Sequence, residues 1–190
     1  PGVLDAFRPH PAGIPRTWVR ALGAELALHV FSGNVPGVAV TSIIRSLLTK
    51  SAVIGKTASG EPLLPVLFAR TLADIDPRLG DCLAILYWPG GSEEIEAAAC
   101  EAADLVVVYG GEDAVRQLRG RIPPDTRVVV HGPRFSIGLV GRDALTEEGA
   151  RHTALRVARA TAIFDQQGCV SPHLVYAENG EVSVEEFARL

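Results

Sequence analysis

Short, continuous apolar runs alternate with stretches of helical periodicity along this chain, and that alternation leaves few folds open to it. "ELALHVFS" (25–32) is an apolar run of strand length, ended by "GNVPG". Val35, Val38, Val40, Ile43, Ile44, Leu47 and Leu48 then recur at helical spacing up to Lys50. "AVIGKT" (52–57), "CLAILYW" (82–88), "DLVVVYG" (104–110) and "TRVVVHG" (126–132) repeat the strand signature. Between them, "EPLLPVLFARTLADID" (61–76), "SEEIEAAACEAA" and "GEDAVRQLRGRI" read as helices. Pro62 takes a tolerated first-turn position, and Pro65 leaves that turn open. Ser92 is the expected cap of the next helix, with acids in its first turn. Strands that are apolar throughout are buried on both faces. The pattern therefore predicts an α/β fold: a Rossmann-like, parallel five-stranded sheet with helices on both faces.

After Gly141 the pattern changes to a long helix over 146–164, a turn holding Cys169, a strand "HLVYAE" and a helix "SVEEFARL". The expected division is a lead-in over 1–24, a dinucleotide-binding domain over 25–141, and the start of a second α/β catalytic domain over 142–190. The chain contains no methionine, so it is expected to be a piece of something longer. At 190 residues and 47% hydrophobic content it can bury a substantial core. Eighteen basic against 22 acidic residues give a net charge of -4 without a basic stripe, which argues against nucleic acid or acidic membranes as main partner. Cys82, Cys100 and Cys169 form neither a disulfide framework nor a zinc signature, so a reducing cytoplasm is expected. No apolar run reaches the roughly 18 residues of a membrane span.

Ligands of such sheets bind beyond the carboxyl ends of the strands, near the point where strand order reverses. The loops at 33–37, 56–60, 89–92, 109–112 and 131–134 are the ones that matter. None carries a G-x-G-x-x-G fingerprint or a P-loop. Cys82, in a strand, and Cys100, in an alanine-rich helix, read as small buried apolar residues. Cys169 differs, because Gly168 permits close backbone approach and Pro172 ends the turn. A nucleophilic thiolate and an inert thiol both fit it. Asn34 fits a helix cap or an amide donor to a developing oxyanion. Lys56 closes the second strand at the ligand edge, where an ordinary solvated lysine is the simpler reading. Gly110-Gly111 fits a plain turn, and His131 fits a base or a structural histidine.

In order and spacing, "GNVP", "GKTASGEP", "VVYGGEDA", "HGPRFS" and "FDQQGCVSP" resemble the aldehyde dehydrogenase superfamily. Within it the chain is most similar to the acyl-CoA reductases typified by the fatty-acid reductase of bacterial luminescence. The resemblance covers most of 25–190. It implies that Cys169 is the acyl-accepting nucleophile and that Asn34 donates to the oxyanion together with the Cys169 backbone N–H. It also implies that Lys56 hydrogen-bonds the adenosine ribose, that Ser32 and Thr57 border the cofactor, and that Gly110 and Gly111 lie under the pyrophosphate. Ser59 stands where many NAD-preferring relatives carry a glutamate. A neutral residue there tolerates a 2′-phosphate, so NADP(H) is expected over NAD(H). Val130 and His131 stand where oxidising members carry a glutamate base, which suits reduction of an acyl thioester to aldehyde.

The same resemblance implies an acyl-CoA or acyl-thioester substrate, an acyl-transferring partner protein and a homo-oligomer of the full-length chain. It also implies a catalytic domain that continues past Leu190. The alternatives are another reaction of the superfamily, aldehyde oxidation or acyl-phosphate reduction, and a nucleotide-binding module without catalysis.

Overall fold

The computed structural model describes residues 2–35 and 37–190, in two compact units that meet in sequence at Gly132 and Pro133. The first unit opens with α1 (Gly2–Asp5) and a small antiparallel pair, β1 (Arg8–Pro9) and β2 (Trp18–Val19). There follow β3 (Leu26–Val30), α2 (Val38–Leu48), β4 (Ala52–Lys56), α3 (Leu63–Ile75), α4 (Pro77–Gly80) and β5 (Leu83–Leu86). The unit continues through α5 (Glu93–Ala102), β6 (Leu105–Tyr109), α6 (Glu112–Arg119) and β7 (Arg127–His131). The strands form the expected parallel five-stranded sheet, in the order β5-β4-β3-β6-β7.

Winding runs outward from β3 through β4 to β5, then crosses back to β6 and β7. The reversal therefore lies between β3 and β6. Because side chains alternate along a strand, the sheet builds two cores. Leu28, Val106 and Val108 pack with Cys100, Ala103 and Leu118 of the α5–α6 side. Phe31 and Val53 pack with Ala39 and Ile43 of α2, joined by Phe68 and Leu72 of α3. Each fully buried side chain of this size is worth roughly 1.5–3 kcal/mol. The central strands β3 and β6 are the buried ones. The outer strands β5 and β7 are partly exposed, since an edge strand has a neighbour on one side only.

Several local expectations change. α3 begins with Pro65 inside its first turn, and the Glu61 carboxylate accepts from the N–H groups of Leu63 and Leu64 at 3.2 and 3.0 Å, doing the capping that the prolines cannot. Ser92 takes the cap position of α5, but its hydroxyl donates to the Pro89 carbonyl instead of accepting from the helix. Cys82 is exposed and not buried. It precedes β5 in a turn, with its thiol donating to the Arg78 carbonyl at 3.3 Å.

The second unit contains β8 (Ser136–Val140), α7 (Ala150–Ala162), β9 (Pro172–Ala177) and α8 (Val184–Phe187). β8 pairs in parallel with β9, from Ile137↔Leu174 to Val140↔Ala177. The boundary thus falls nine residues before the expected 141/142, because the strand just before Gly141 pairs with the Cys-bearing half of the chain. Val140, Leu145, Ala150, Val182 and Phe187 form this unit's own core. Gly180 is required there: a Cβ on it would lie 2.6 Å from the Leu145 carbonyl oxygen and 2.7 Å from that of Arg142.

A buried polar chain ties α2 to the sheet. His29, only 2% exposed, is flanked by the Ser42 hydroxyl at Nδ1 (2.7 Å) and the Ser46 hydroxyl at Nε2 (2.9 Å). Burial pushes its pKa from 6.5 down to about 4. The folded state thus favours neutral imidazole, so the full stability is present above pH 6.5 and is lost as pH falls from 6.5 toward 4. The loss attributable to His29 is on the order of 3 kcal/mol at the acid end of that window. Urea unfolding between pH 7 and 4.5 is expected to show it. A stability flat across that range would contradict a neutral, buried His29.

Candidate active site

The carboxyl edge of the sheet collects the expected cofactor residues of the first unit. Ser32 and Asn34 lie on the loop after β3, and Gly110 and Gly111 on the loop after β6, so the two loops flank the reversal point. Asn34 is exposed. The cap position of α2 belongs to Gly37, in a left-handed conformation (φ 86°), with no side-chain cap. Asn34 thus stands three residues before the cap position. Gly33 lets this loop lie against the next one, since a Cβ on it would be 3.2 Å from both the Ala58 Cβ and the Glu61 nitrogen.

Lys56 is half-buried at the end of β4, its ammonium 5.8 Å from the centre of the Trp88 ring. A small cleft of about 90 Å³ opens there, bounded by Lys56, Trp88, Gly90, Ala114 and Leu118. Glu96, buried beside it, accepts from the Gly91 N–H at 3.2 Å and pairs with Arg121 at 2.9 Å, which pins the 89–92 loop. Two buried polar atoms at this edge have no hydrogen-bond partner among the described residues, the Thr57 hydroxyl and the Trp88 indole N–H. Orphans of this kind are rare. Thr57 is itself 1% exposed, so it sits beneath the surface of the edge.

Ser59 is exposed, its hydroxyl 3.4 Å from that of Tyr87. The nearest acid in sequence, Glu61, is turned onto the N-terminus of α3. Gly110 is less available than expected. Its N–H donates to the His131 carbonyl at 3.3 Å and so belongs to the sheet, whereas Gly111 faces open space. His131 stacks on Tyr109 at 4.5 Å and 10°, on the α2 side. The Tyr109 hydroxyl is held by Ser42 at 3.0 Å.

In the second unit, Cys169 is exposed on a turn that other groups hold rigidly. The Ser171 N–H donates to the Gly168 carbonyl at 3.0 Å, and the buried Ser171 hydroxyl donates to the Ile163 carbonyl at 2.7 Å. The Ser136 hydroxyl, from β8, donates to the Cys169 carbonyl. Gly168 fits the expectation of close approach, since a Cβ on it would lie 2.8 Å from the Phe164 ring. Just upstream, Phe164, Asp165 and Gln166 all have positive φ, at 55°, 52° and 58°. Such strain in non-glycine residues costs of order 1–3 kcal/mol each and gathers at functional sites. Ser136 was not foreseeable, because a serine at a strand start carries no sequence signal of its partner.

The whole chain, 1–190, matches the family model described as acyl-CoA reductase (LuxC). It belongs to that family. Curated relatives include long-chain acyl-protein thioester reductase 2 of Photobacterium leiognathi, 32% identical over 84% of this chain and 33% of its own length. The long-chain acyl-protein thioester reductase of Photorhabdus luminescens is 32% identical over 92% of this chain and 35% of its own. The chain thus spans about a third of the length of these relatives. Among solved structures, lactaldehyde dehydrogenase from Escherichia coli superposes with a TM-score of 0.71 at 18% identity, covering 90% of this chain and 34% of that one. An NADP-dependent glyceraldehyde-3-phosphate dehydrogenase from Bacillus halodurans gives 0.67 at 20% identity, covering 85% and 33%. These establish an aldehyde-dehydrogenase-like fold. No described helix is long and apolar enough to cross a membrane.

Thiol chemistry checks the placement of the three cysteines. Brief alkylation of the folded chain, followed by peptide mass spectrometry, is expected to modify Cys82 and Cys169 and to spare Cys100, which is fully buried and whose pKa burial raises. Labelling of Cys100 at the rate of the other two would contradict the core.

Proposed function

We propose that this chain carries the cofactor edge and the nucleophile of a reductase that converts a fatty acyl thioester to an aldehyde, with acyl-CoA as the small-molecule donor. Membership of the acyl-CoA reductase family supports this. The observation that carries it is Cys169, an exposed thiol on a turn clamped by Ser136 and Ser171 and preceded by strained backbone. A thiol so presented is open to a substrate carbonyl while its backbone stays fixed.

The Cys169 thiolate attacks the thioester carbonyl and forms a new carbon–sulfur bond. The bond to the departing thiol breaks, coenzyme A leaves as its thiolate and takes up a proton, and a thioacyl enzyme remains. The Cys169 backbone N–H donates to the oxyanion of the tetrahedral state, and the amide donor that the resemblance assigns to Asn34 belongs to the same proposal. A bound nicotinamide cofactor supplies the hydride that brings the thioacyl carbon to the aldehyde level. Collapse of the thiohemiacetal on Cys169 then frees the aldehyde and restores the thiol.

The residues at the sheet edge fit such a cofactor. Lys56, with the orphaned Trp88 N–H near it, would hold the ribose, and Ser32 and the buried Thr57 would border the cofactor from the loop edge. Gly111, with open space above it, accommodates the pyrophosphate, and Gly110 contributes clearance more than a donor. NADPH is favoured over NADH, because Ser59 is neutral and Glu61 is committed to α3. The relatives are named for acyl-protein thioesters, which supports delivery of the acyl group by a partner protein. A cytoplasmic, homo-oligomeric full-length enzyme belongs to the same reading.

In the full-length protein, Cys169→Ala is expected to abolish covalent labelling by a radiolabelled long-chain acyl-CoA. Labelling that persists in that variant would rule out this nucleophile. Ser59→Glu is expected to weaken NADPH use by tenfold or more, about 1.4 kcal/mol, with NADH use largely kept. Equal loss with both cofactors would remove Ser59 from the discrimination.

A further inference from the structure

The cleft beside Lys56 is lined from two separate elements. Trp88 and Gly90 reach it from the loop after β5, and Ala114, Gln117 and Leu118 reach it from α6. One buried ion pair ties these two linings together. Glu96 of α5 is only 6% exposed. One of its carboxylate oxygens accepts from the Gly91 N–H at 3.2 Å, and the other accepts from Nη1 of Arg121 at 2.9 Å. The same Nη1 donates to the Gln117 carbonyl at 3.1 Å, while Nη2 donates to Glu93 at 3.0 Å. The path from Gly91 through Glu96 and Arg121 to Gln117 is therefore continuous.

Stability alone is a poor account of this arrangement. A buried ion pair adds little net stability, because desolvating both charges offsets most of their attraction. What it fixes is geometry, since a guanidinium presents its donors as a rigid planar fork. The loop it holds depends on such bonds. Gly91 has a φ of 84°, and a Cβ on Gly90 or Gly91 would meet nothing within 4 Å, so packing does not position this turn. Its other anchors are local, from Ser92 to the Pro89 carbonyl. The same loop carries Trp88, which is 4% exposed and whose indole N–H has no partner among the described residues. At about 90 Å³ the cleft has little room to spare, and a small change in the spacing of its linings changes what it admits.

We infer that Glu96 and Arg121 are positioning residues for the nicotinamide cofactor. They set the separation of the 89–92 loop from α6, and so the width of the cleft beside Lys56. They act through the loop and the helix and take no part in the chemistry at Cys169. The inference rests on the reading of the sheet edge as a cofactor site.

The test titrates the full-length protein with NADPH and with NADH, followed by nucleotide fluorescence. Glu96→Gln keeps the size of the side chain and an acceptor for Gly91 but loses the charge that holds Arg121. Arg121→Lys keeps the charge and replaces the fork with a single ammonium. Each is expected to raise Kd and KM for the preferred nucleotide by about tenfold or more, as small misplacements do. The kcat at saturating nucleotide is expected to stay at the wild-type value. Covalent labelling by radiolabelled long-chain acyl-CoA consumes no cofactor, and its extent is expected to be kept. An unchanged Kd in either folded variant would overturn the inference even where Tm falls, because the pair would then be structural only. Loss of labelling together with nucleotide binding in both variants would overturn it as well, as a general folding defect. Wild-type protein that binds neither nucleotide would remove the cofactor reading itself, so the two failures are separable.

Discussion

The pairing of β3 with β4 on one side and β6 on the other is the contact on which the rest depends. It makes β3 the most buried strand and sends the chain outward in both directions from one line. At that line the loops after β3 and β6 cannot cover each other's strand ends, which leaves a crevice. Asn34, Gly110 and Gly111 reach the same edge for this reason alone, although about 75 residues separate them. Lys56 follows from the same register, since Val30↔Lys56 places it level with the end of β3.

Around this line the two faces of the sheet do different things. The α5–α6 face combines an apolar core with a cleft beside which one polar atom is left over, the Trp88 N–H. The α2 face spends its polar atoms on itself, through His29 and its two serines. A histidine there favours neutral imidazole, because desolvation penalises the cation.

The second unit solves a different problem, the presentation of an exposed thiol on a hydrogen-bonded turn. Three left-handed residues turn the chain out of α7, Gly168 makes room for the Phe164 ring, and two hydroxyls hold the carbonyls of Ile163 and Cys169. The glycine was legible in "QQGCVSP", because a glycine beside a cysteine and a following proline are local signals. The Ser136 clamp was not, since it reaches across 33 residues.

The order of apolar runs and helical periods determined by itself the parallel sheet, its number of strands and the loops that bear the candidate site, because strand length and burial on both faces are written in local composition. The turn at Cys169 belongs with these, since glycine and proline act within a residue or two. Tertiary structure alone decided that 136–140 is a strand, that Cys82 is exposed, that Gly110 gives its N–H to the sheet and that His29 is neutral. Each of these depends on which distant segment lies alongside, and a partner's desolvation or hydrogen bond leaves no mark on the residues near it in sequence.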